Sequence, residues 1–465
     1  MYNTRAMDQF KDRKVLIFGL GLNQGGVGSA KFFASHGAQV KVTDLKDAQN
    51  LKPSLDQLKD FPEITYTLGE HKNEDIDWAD LIIKNPAVKP GNTYINRAIK
   101  SGKKVEMDMG IFLNFVKPSQ IIGITGTKGK STTASLIHEV LKNGLSDTQG
   151  SNVFNPRGWV ASNPGNIVIA GNIGKSVLDI IPHVKPDTLV ILEISSFQLE
   201  SFATHKVSPK WAVVTNITPD HLNYYQTMDE YIQSKRIIGK YQTEKDFLFI
   251  RKNDPVTTKP DFLKDFKAQI IYFSKDDLPK HFKPYLMGEH NLENMAAAYM
   301  MGKSFGADDR TILKILSQFK GIPFRMQLIK TWDGVKIIND TTATSPEAGI
   351  QAIQTFPGCI LICGGMNKGM DYTEYAKVAS KIVREVFFLE GDSTTEIKKQ
   401  FSIVNSQLSI HGPYNDLEKL LTEVKKIIHK GDLILFSPAA TSFNLFQNEF
   451  DRGRKFNIAV EKVFG

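Results

Sequence analysis

Residues 123–133, GITGTKGKSTT, carry glycines, lysines and hydroxyls in the order that a phosphate cradle requires. The common P-loop rule, G-x-x-x-x-G-K-[ST], holds phosphate with backbone N–H groups, reaches the β/γ-phosphates with the lysine and Mg²⁺ with the hydroxyl. Gly129, Lys130 and Ser131 match its second half, but Ile124 stands where the first glycine belongs, and the nearest glycines are Gly123 and Gly126. A strand before the loop and a helix after it would aim the helix amino end at an anion. The spacing therefore predicts a triphosphate site, with Lys130 on β/γ-phosphate, Ser131 on Mg²⁺ and Lys128 adding charge; a coincidental Gly-Lys-Ser turn is the plain alternative. Two further strands end in metal-capable groups, one with Glu193 in LEISSFQLE and the next with Asp220 and His221 in NITPDHLNYY. Carboxylate and imidazole are ligands that Mg²⁺ or Mn²⁺ accepts beside phosphate oxygens, whereas the plain reading is a capping pair on a loop. Near the start, Gly19 and Gly21 fit the dinucleotide fingerprint, but Gln24 takes the third glycine's place. Asp44 closes the next apolar run and could accept hydrogen bonds from a ribose or a base, so a Rossmann-type pocket is expected without identifying NAD.

These groups need strands to carry them. KVLIFGLGL, the helical VGSAKFFASHG and AQVKVTDL make a βαβ unit, and WADLIIKNPAV and GKKVEMDMGIFLNF continue the alternation. VKPSQ reads as a linker, after which IIGITG starts a second unit. NIVIAGNIG, DTLVILEISS and KWAVVTNIT follow as buried-looking strands that end in polar or glycine residues. In open parallel sheets the ligand lies beyond the carboxyl ends of the strands, so those ends are where chemistry is expected. GEHNLENMAAAYMMGKSFG reads as a helix. A third α/β unit runs through KIINDTTATSPEAGIQAI, CILICGGMNKG, EVFFLEGD and DLILFSPAATSFNLF. The expected domains are 1–116, 117–322 and 323–465: Rossmann-like, then a central P-loop ATPase-like parallel sheet, then Rossmann-like again.

A chain of 465 residues exceeds one compact core, and 41% apolar with 23% charged residues is ordinary globular composition. The net charge of +8 could mean nucleic-acid or membrane binding, but the lysines are scattered rather than striped and small anionic substrates explain it equally well; no nucleic-acid partner is expected. Cys359 and Cys363 sit in an apolar run without a C-x-x-C pair, which assigns them to core packing. No apolar run approaches the ~18 residues of a bilayer span, and MYNTRAMDQFKDRK lacks a signal peptide's apolar core, so a cytoplasmic enzyme is expected without stable membrane insertion.

Taken in order, GTKGKSTT, GNIG, LEISSFQLE, NITPDHL with YIQSK, GEHNLEN, GIPFRMQ, NDTTAT, CGGMNKG and SPAATSFNLFQNEFDRG resemble the Mur ligase family over essentially the whole chain, most closely its D-glutamate-adding branch. The resemblance implies an ADP-forming ligase of peptidoglycan precursor synthesis. It would phosphorylate the carboxylate of UDP-N-acetylmuramoyl-L-alanine with ATP and let D-glutamate displace the phosphate. It further implies a monomer with two Mg²⁺ ions, or Mn²⁺ in their place.

Residue by residue, the resemblance assigns Lys130 to the transferring phosphoryl group. Gly126, Thr127, Lys128, Gly129, Ser131 and Thr132 form the rest of the ATP loop. Ser131 and Glu193 would hold one metal and His221 a second. Lys235 matches a lysine carbamylated by CO₂, a change from cation to anion that suits a metal site; without the motif it would read as a solvated helix lysine. Asn291 and Asn294 fall on the adenine helix, Arg325 on an ATP-phosphate contact and Asp340 on the ribose contact. Gly19, Gly21, Leu22, Asp44, Asn85 and Asn172 would serve the UDP-sugar, and Thr344, Lys368, Ser442 and Phe443 the D-glutamate. The chain departs from the family's pattern at Thr341-Thr342, where many relatives have Ser-Lys, so one cationic contact is missing or comes from elsewhere. The irregular first glycine loop leaves the uracil and diphosphate contacts open. The competing readings are a folylpolyglutamate synthase-like or other Mur-type amino-acid ligase, or a catalytically weak nucleotide-binding regulator.

Overall fold

A computed structural model describes residues 7–22, 24–145, 166–221, 224–286, 288–366, 370–404, 408–442, 445–446 and 448–465. Among the described residues three sheets carry the chain. The first comprises β1 (Lys14–Phe18), β2 (Gln39–Asp44), β3 (Thr65–Leu68), β4 (Leu81–Lys84) and β5 (Lys104–Glu106), all parallel in the order β3-β2-β1-β4-β5. The strand order reverses between β1 and β4, which opens a crevice at their carboxyl ends.

The second sheet comprises β6 (Ile121–Thr125), β7 (Ile167–Gly171), β8 (Leu189–Glu193), β9 (Trp211–Val214), β10 (Phe247–Arg251) and β11 (Gln269–Phe273), in the parallel order β11-β10-β9-β6-β8-β7. Its inner strands are Ile, Val and Leu on both faces because both faces are covered. On one face lie the helices Lys130–Gly144 and Glu289–Ser304, whose Leu136, Ile137, Val140, Met295 and Met301 are fully buried with Ile122 and Ile124. Each such side chain contributes about 1.5–3 kcal/mol relative to exposure. Val190, Leu192 and Val214 on the other face belong to the same apolar cluster as Val15, Ile17 and Val42 of the first sheet.

That shared core explains why residues 1–319 form one compact unit. The segment expected to be a linker is a short 3₁₀ turn, Pro118–Gln120, whose buried Gln120 amide donates to the Lys185 and Thr188 carbonyls. A polar clamp adds to the junction: Glu200 takes the Lys84 ammonium at 2.9 Å and the Tyr224 hydroxyl at 2.9 Å.

Residues 320–465 form the second unit. Its sheet joins β12 (Gln327–Trp332), β13 (Val335–Asn339), β14 (Ile360–Cys363), β15 (Glu385–Leu389), β16 (Ser409–Tyr414) and β17 (Leu433–Phe436) in the order β12-β13-β17-β14-β15-β16. Only the edge pair β12 and β13 is antiparallel, a hairpin that turns on Asp333-Gly334. Helices Pro346–Thr355 and Thr373–Ile382 cover one face and Leu417–Lys425 and Glu449–Phe464 the other. Cys359 and Cys363 are buried and unpaired, and burial pushes both thiols up to about 12. A core role follows.

Candidate active site

Register brings the central residues to one edge. Ile124 of β6 stands opposite Glu193 of β8, Thr125 opposite Val214 of β9, and Gly171 of β7 opposite Glu193. The phosphate loop, Glu193, Asn172 and the segment after β9 therefore leave the sheet side by side. The loop is pinned from β9's continuation. Thr127 N–H donates to the Asn216 carbonyl (2.8 Å), Lys128 N–H to Asn216 Oδ1 (3.0 Å), and the Lys128 carbonyl accepts from the Thr215 hydroxyl (2.6 Å) and the Asn216 amide (2.9 Å). The Thr127 hydroxyl meets Tyr231 Oη at 3.1 Å. Thr215, Asn216 and Tyr231 were not singled out from the sequence; the polar end of KWAVVTNIT was the signal available.

Two glycines of the loop are obligatory. At Gly126 (φ +147°) a Cβ would lie 2.0 Å from Thr215 Oγ1, and at Gly129 (φ +82°) 2.4 Å from Asn294 Oδ1. The unusual spacing thus fits this loop's own neighbours. Gly129 caps the helix Lys130–Gly144, whose first turn holds Lys130, buried Ser131 and half-buried Thr132. Asn294 also accepts from the Thr133 hydroxyl (3.2 Å) and donates to Asn291 Oδ1 (3.3 Å), so Asn294 of the Glu289–Ser304 helix lies against the loop and Asn291 is bonded to Asn294.

Positive charge is concentrated here. The ammonium groups of Lys130 and Lys235 both donate to the Gly126 carbonyl at 2.9 Å, and Lys130 also donates to the Thr127 carbonyl at 2.9 Å. Lys235, on the helix Met228–Lys240, is 1% exposed and sits 4.7 Å from the centre of the Tyr231 ring. It is no solvated lysine. Burial, then the Lys130 charge, hold its pKa well below the usual lysine range, against an opposing pull from Asp220. His221 (φ +55°) has its pKa lowered by burial and by Lys235, Lys130 and Lys128, with Asp220 again opposing. A neutral imidazole is the ligand form. The exposed Lys128 ammonium lies 3.7 Å from Asp220.

Glu193 is 2% exposed; its Oε1 accepts from the Asn172 side-chain amide (3.0 Å), while its buried Oε2 has no hydrogen-bond partner among the described residues. An orphaned buried carboxylate oxygen one strand from Ser131 is a donor set suited to Mg²⁺, which takes one or two protein oxygens and completes its shell with phosphates and water. The described residues contain no group of three or more His, Cys, Asp or Glu that would cage a metal by themselves. The Glu193 bond also sets Asn172 at the central edge, apart from the other residues expected for the UDP-sugar.

Those others gather at the first sheet. Asp44 is 7% exposed, and its carboxylate accepts the Gly21 N–H and the Lys46 N–H, each at 2.9 Å. Its visible work is to hold the glycine loop. Asn85, at the end of β4, donates to the Gly19 carbonyl (3.2 Å), and Leu22 is half-buried. A small crevice between β1 and β4 is lined by Gly19, Gly25, Gly26, Asn85 and Asp108. Asp108 was not anticipated. It is buried, and burial pushes its carboxyl up to about 6.

In residues 320–465, Asp340 follows β13 and is buried; its carboxylate accepts from the Ser437 hydroxyl (2.8 Å) and the Met326 N–H (3.0 Å), and burial pushes its pKa up to about 7. Arg325 is exposed. Thr344 is half-buried, and the hydroxyl of buried Ser442 has no hydrogen-bond partner among the described residues. Lys368 and Phe443 lie outside the described residues.

Three α/β domains with a phosphate loop at the carboxyl edge of the middle sheet define a multidomain nucleotide-handling protein. The family models agree in detail: the Mur ligase MurD-like N-terminal domain matches residues 13–106, the Mur ligase middle domain 124–302, and the Mur ligase glutamate ligase domain 324–440. Two curated relatives, each named UDP-N-acetylmuramoylalanine--D-glutamate ligase, come from Roseiflexus sp. (strain RS-1), 34% identical over 97% of this chain and 99% of its own, and from Borreliella burgdorferi (strain ATCC 35210), 34% identical over 98% and 99%. The chain belongs to the Mur ligase family. The crystal structure of UDP-N-acetylmuramate-alanine ligase from Thermotoga maritima shares its fold, with TM-score 0.55 and 19% identity over 97% of this chain and 99% of that one.

Proposed function

We propose that this enzyme joins D-glutamate to UDP-N-acetylmuramoyl-L-alanine in an ATP-dependent reaction of peptidoglycan precursor synthesis. An oxygen of the acceptor's terminal carboxylate attacks the γ-phosphorus of ATP, ADP leaves, and an acyl phosphate forms. The D-glutamate amine then attacks the acyl carbon, an amide bond forms, and inorganic phosphate departs with the former carboxylate oxygen. Phosphorylation is needed because a carboxylate is a poor electrophile with no leaving group.

The observation that carries this reading is the convergence of Lys130, Lys235, His221 and Glu193 around the Gly126 loop at a sheet edge, in a chain similar along its length to D-glutamate ligases. Lys130 turns from the loop carbonyls to the γ-phosphoryl group, where its charge stabilises the transition state. Thr127, Lys128 and Thr132 complete the cradle, while Asn291 and Asn294 support the adenine side. Ser131 and Glu193 would hold one Mg²⁺, and His221 with carbamylated Lys235 a second; Mn²⁺ suits the same oxygen and imidazole donors. These ions supply charge neutralisation on phosphate oxygens. The lowered pKa of Lys235 favours the free amine, the only form that attacks CO₂ to give a carbamate.

The acceptor's nucleotide lies along Gly19, Gly21, Leu22, Asp44 and Asn85, and Asn172 orients its reacting end. Arg325 reaches ATP phosphate and Asp340 the ribose, and Thr344, Lys368, Ser442 and Phe443 receive D-glutamate. The domains are bounded at about residues 116 and 322. The enzyme acts as a cytoplasmic monomer without nucleic acid; among the described residues no helix is long and apolar enough to cross a membrane. Phosphate release with ATP, Mg²⁺ and UDP-N-acetylmuramoyl-L-alanine tests the proposal against a panel of D- and L-amino acids. Release that requires D-glutamate is expected. Release with L-glutamate and a folate acceptor instead would overturn it.

A further inference from the structure

The departure at Thr341-Thr342 has a structural counterpart around Arg325. Phe324 (φ +67°) and Met326 (φ +44°), on either side of that exposed arginine, both occupy the left-handed region, which side-chain-bearing residues rarely adopt. Such a turn persists only where its surroundings hold it, and such conformations cluster at functional sites. The turn makes two bonds of its own, Phe324 N–H to Gln327 Oε1 (3.0 Å) and Arg325 N–H to the Ile322 carbonyl (3.0 Å), and the short segment 340–342 adds the rest. Thr342 grips the Phe324 carbonyl twice, with its N–H at 3.1 Å and its hydroxyl at 2.8 Å. Asp340 accepts the Met326 N–H at 3.0 Å. Arg325 is thus presented at the tip of a turn strapped on both flanks.

The neighbouring threonine is anchored in turn. The fully buried Arg452 donates Nε to Thr341 Oγ1 (2.9 Å), Nη2 to the Thr341 carbonyl (2.8 Å) and Nη1 to the Ala440 carbonyl (3.0 Å), and Thr341 Oγ1 donates to the Glu449 carbonyl (3.1 Å). The strap is therefore fixed to the helix Glu449–Phe464 and to the turn before Ser442. A long cationic side chain at position 342 could not close the Phe324 carbonyl in this way.

We propose that Thr342 is a positioning residue for Arg325: its hydroxyl locks the left-handed Phe324 so that the guanidinium is pre-set for nucleotide phosphate. The inference rests on the reading of Arg325 as an ATP contact. It predicts that removing one neutral hydrogen bond, by the near-isosteric Thr342→Val, weakens ATP binding about fivefold. The apparent KM for ATP rises accordingly, with KM for D-glutamate and for the acceptor unchanged. Thr342→Ser, which keeps the hydroxyl, restores the parent value.

Equilibrium titration with ATP and steady-state kinetics are run on the full chain carrying each variant, and again in an Arg325→Ala background. If Thr342 acts through Arg325, the two changes are not additive and T342V adds nothing to R325A. An unchanged ATP affinity in T342V overturns the proposal, as does an equal loss in both backgrounds, which would mark general loosening of the fold. An R325A variant that binds and turns over ATP like the parent instead removes the underlying assignment of Arg325.

Discussion

Replacing Lys235 by methionine should make the protein more stable and inactive at once. Two ammonium groups share the Gly126 carbonyl at 2.9 Å each, so they are close neighbours. At a separation of about 5 Å and an effective dielectric constant near 20, their repulsion is roughly 3 kcal/mol. Burial of the Lys235 charge costs several kcal/mol more. Against this stand one charge-assisted hydrogen bond, worth about 1.5–3 kcal/mol, and the approach to the Tyr231 ring, worth about 1–2 kcal/mol. Methionine keeps the apolar stem, removes the charge and leaves the Gly126 carbonyl its bond from Lys130. A net gain of about 1–3 kcal/mol is expected, or a few degrees in Tm for a unit of this size. The assay is thermal denaturation in CO₂-depleted buffer beside ADP formation. Because the native pKa is depressed, the unfolded chain binds the extra proton, and the variant's advantage should grow as pH falls from about 10.5 towards the native value. Adding bicarbonate should stabilise the parent and leave the variant unmoved, since a carbamate turns the repulsion from Lys130 into attraction. A Tm that falls on substitution would refute the electrostatic reasoning.

Other outcomes follow from the same geometry. Gly129→Ala, forced into a left-handed backbone with its Cβ 2.4 Å from Asn294 Oδ1, should lose ATP binding at least about tenfold by titration while the far-ultraviolet circular dichroism is kept. Glu193→Gln keeps the shape but not the charge, and should raise the Mg²⁺ concentration for half-maximal activity at least about tenfold. Asp340, raised to about 7, favours folding most below the ordinary carboxylate pKa, and that contribution is lost as pH rises through about 7. Asp340→Asn should therefore gain stability relative to the parent between pH 5 and pH 8 in denaturant titrations.

Much of the fold was legible because the strands are both-faces-buried runs such as ILIC and LVILE, bounded by glycine and polar ends. The hairpin β12 and β13 went unread although Asp333-Gly334 is a strong turn signal, because the surrounding βαβ texture suggested parallel pairing. The phosphate loop was legible as chemistry, yet its irregular glycines make sense only beside Thr215 and Asn294, partners distant in sequence. The same limit applied to Lys235, which the family motif singled out but whose burial no local signal showed. Residue type and helical spacing describe a surface lysine, and only tertiary packing shows a buried ammonium on the loop carbonyl. Asp44 looked free to meet a ligand, whereas the backbone N–H groups of Gly21 and Lys46 each bond one of its oxygens. Asp108 gave no warning, since nothing local marks an acid that the fold will bury.

The central claim is that the acceptor's carboxylate is activated by direct transfer of a phosphoryl group. Acceptor labelled with ¹⁸O in both oxygens of its terminal carboxylate, incubated with enzyme, ATP, Mg²⁺ and D-glutamate, tests it directly. The account predicts one ¹⁸O in each released inorganic phosphate and one left in the amide carbonyl. Unlabelled phosphate released in step with amide formation would contradict it.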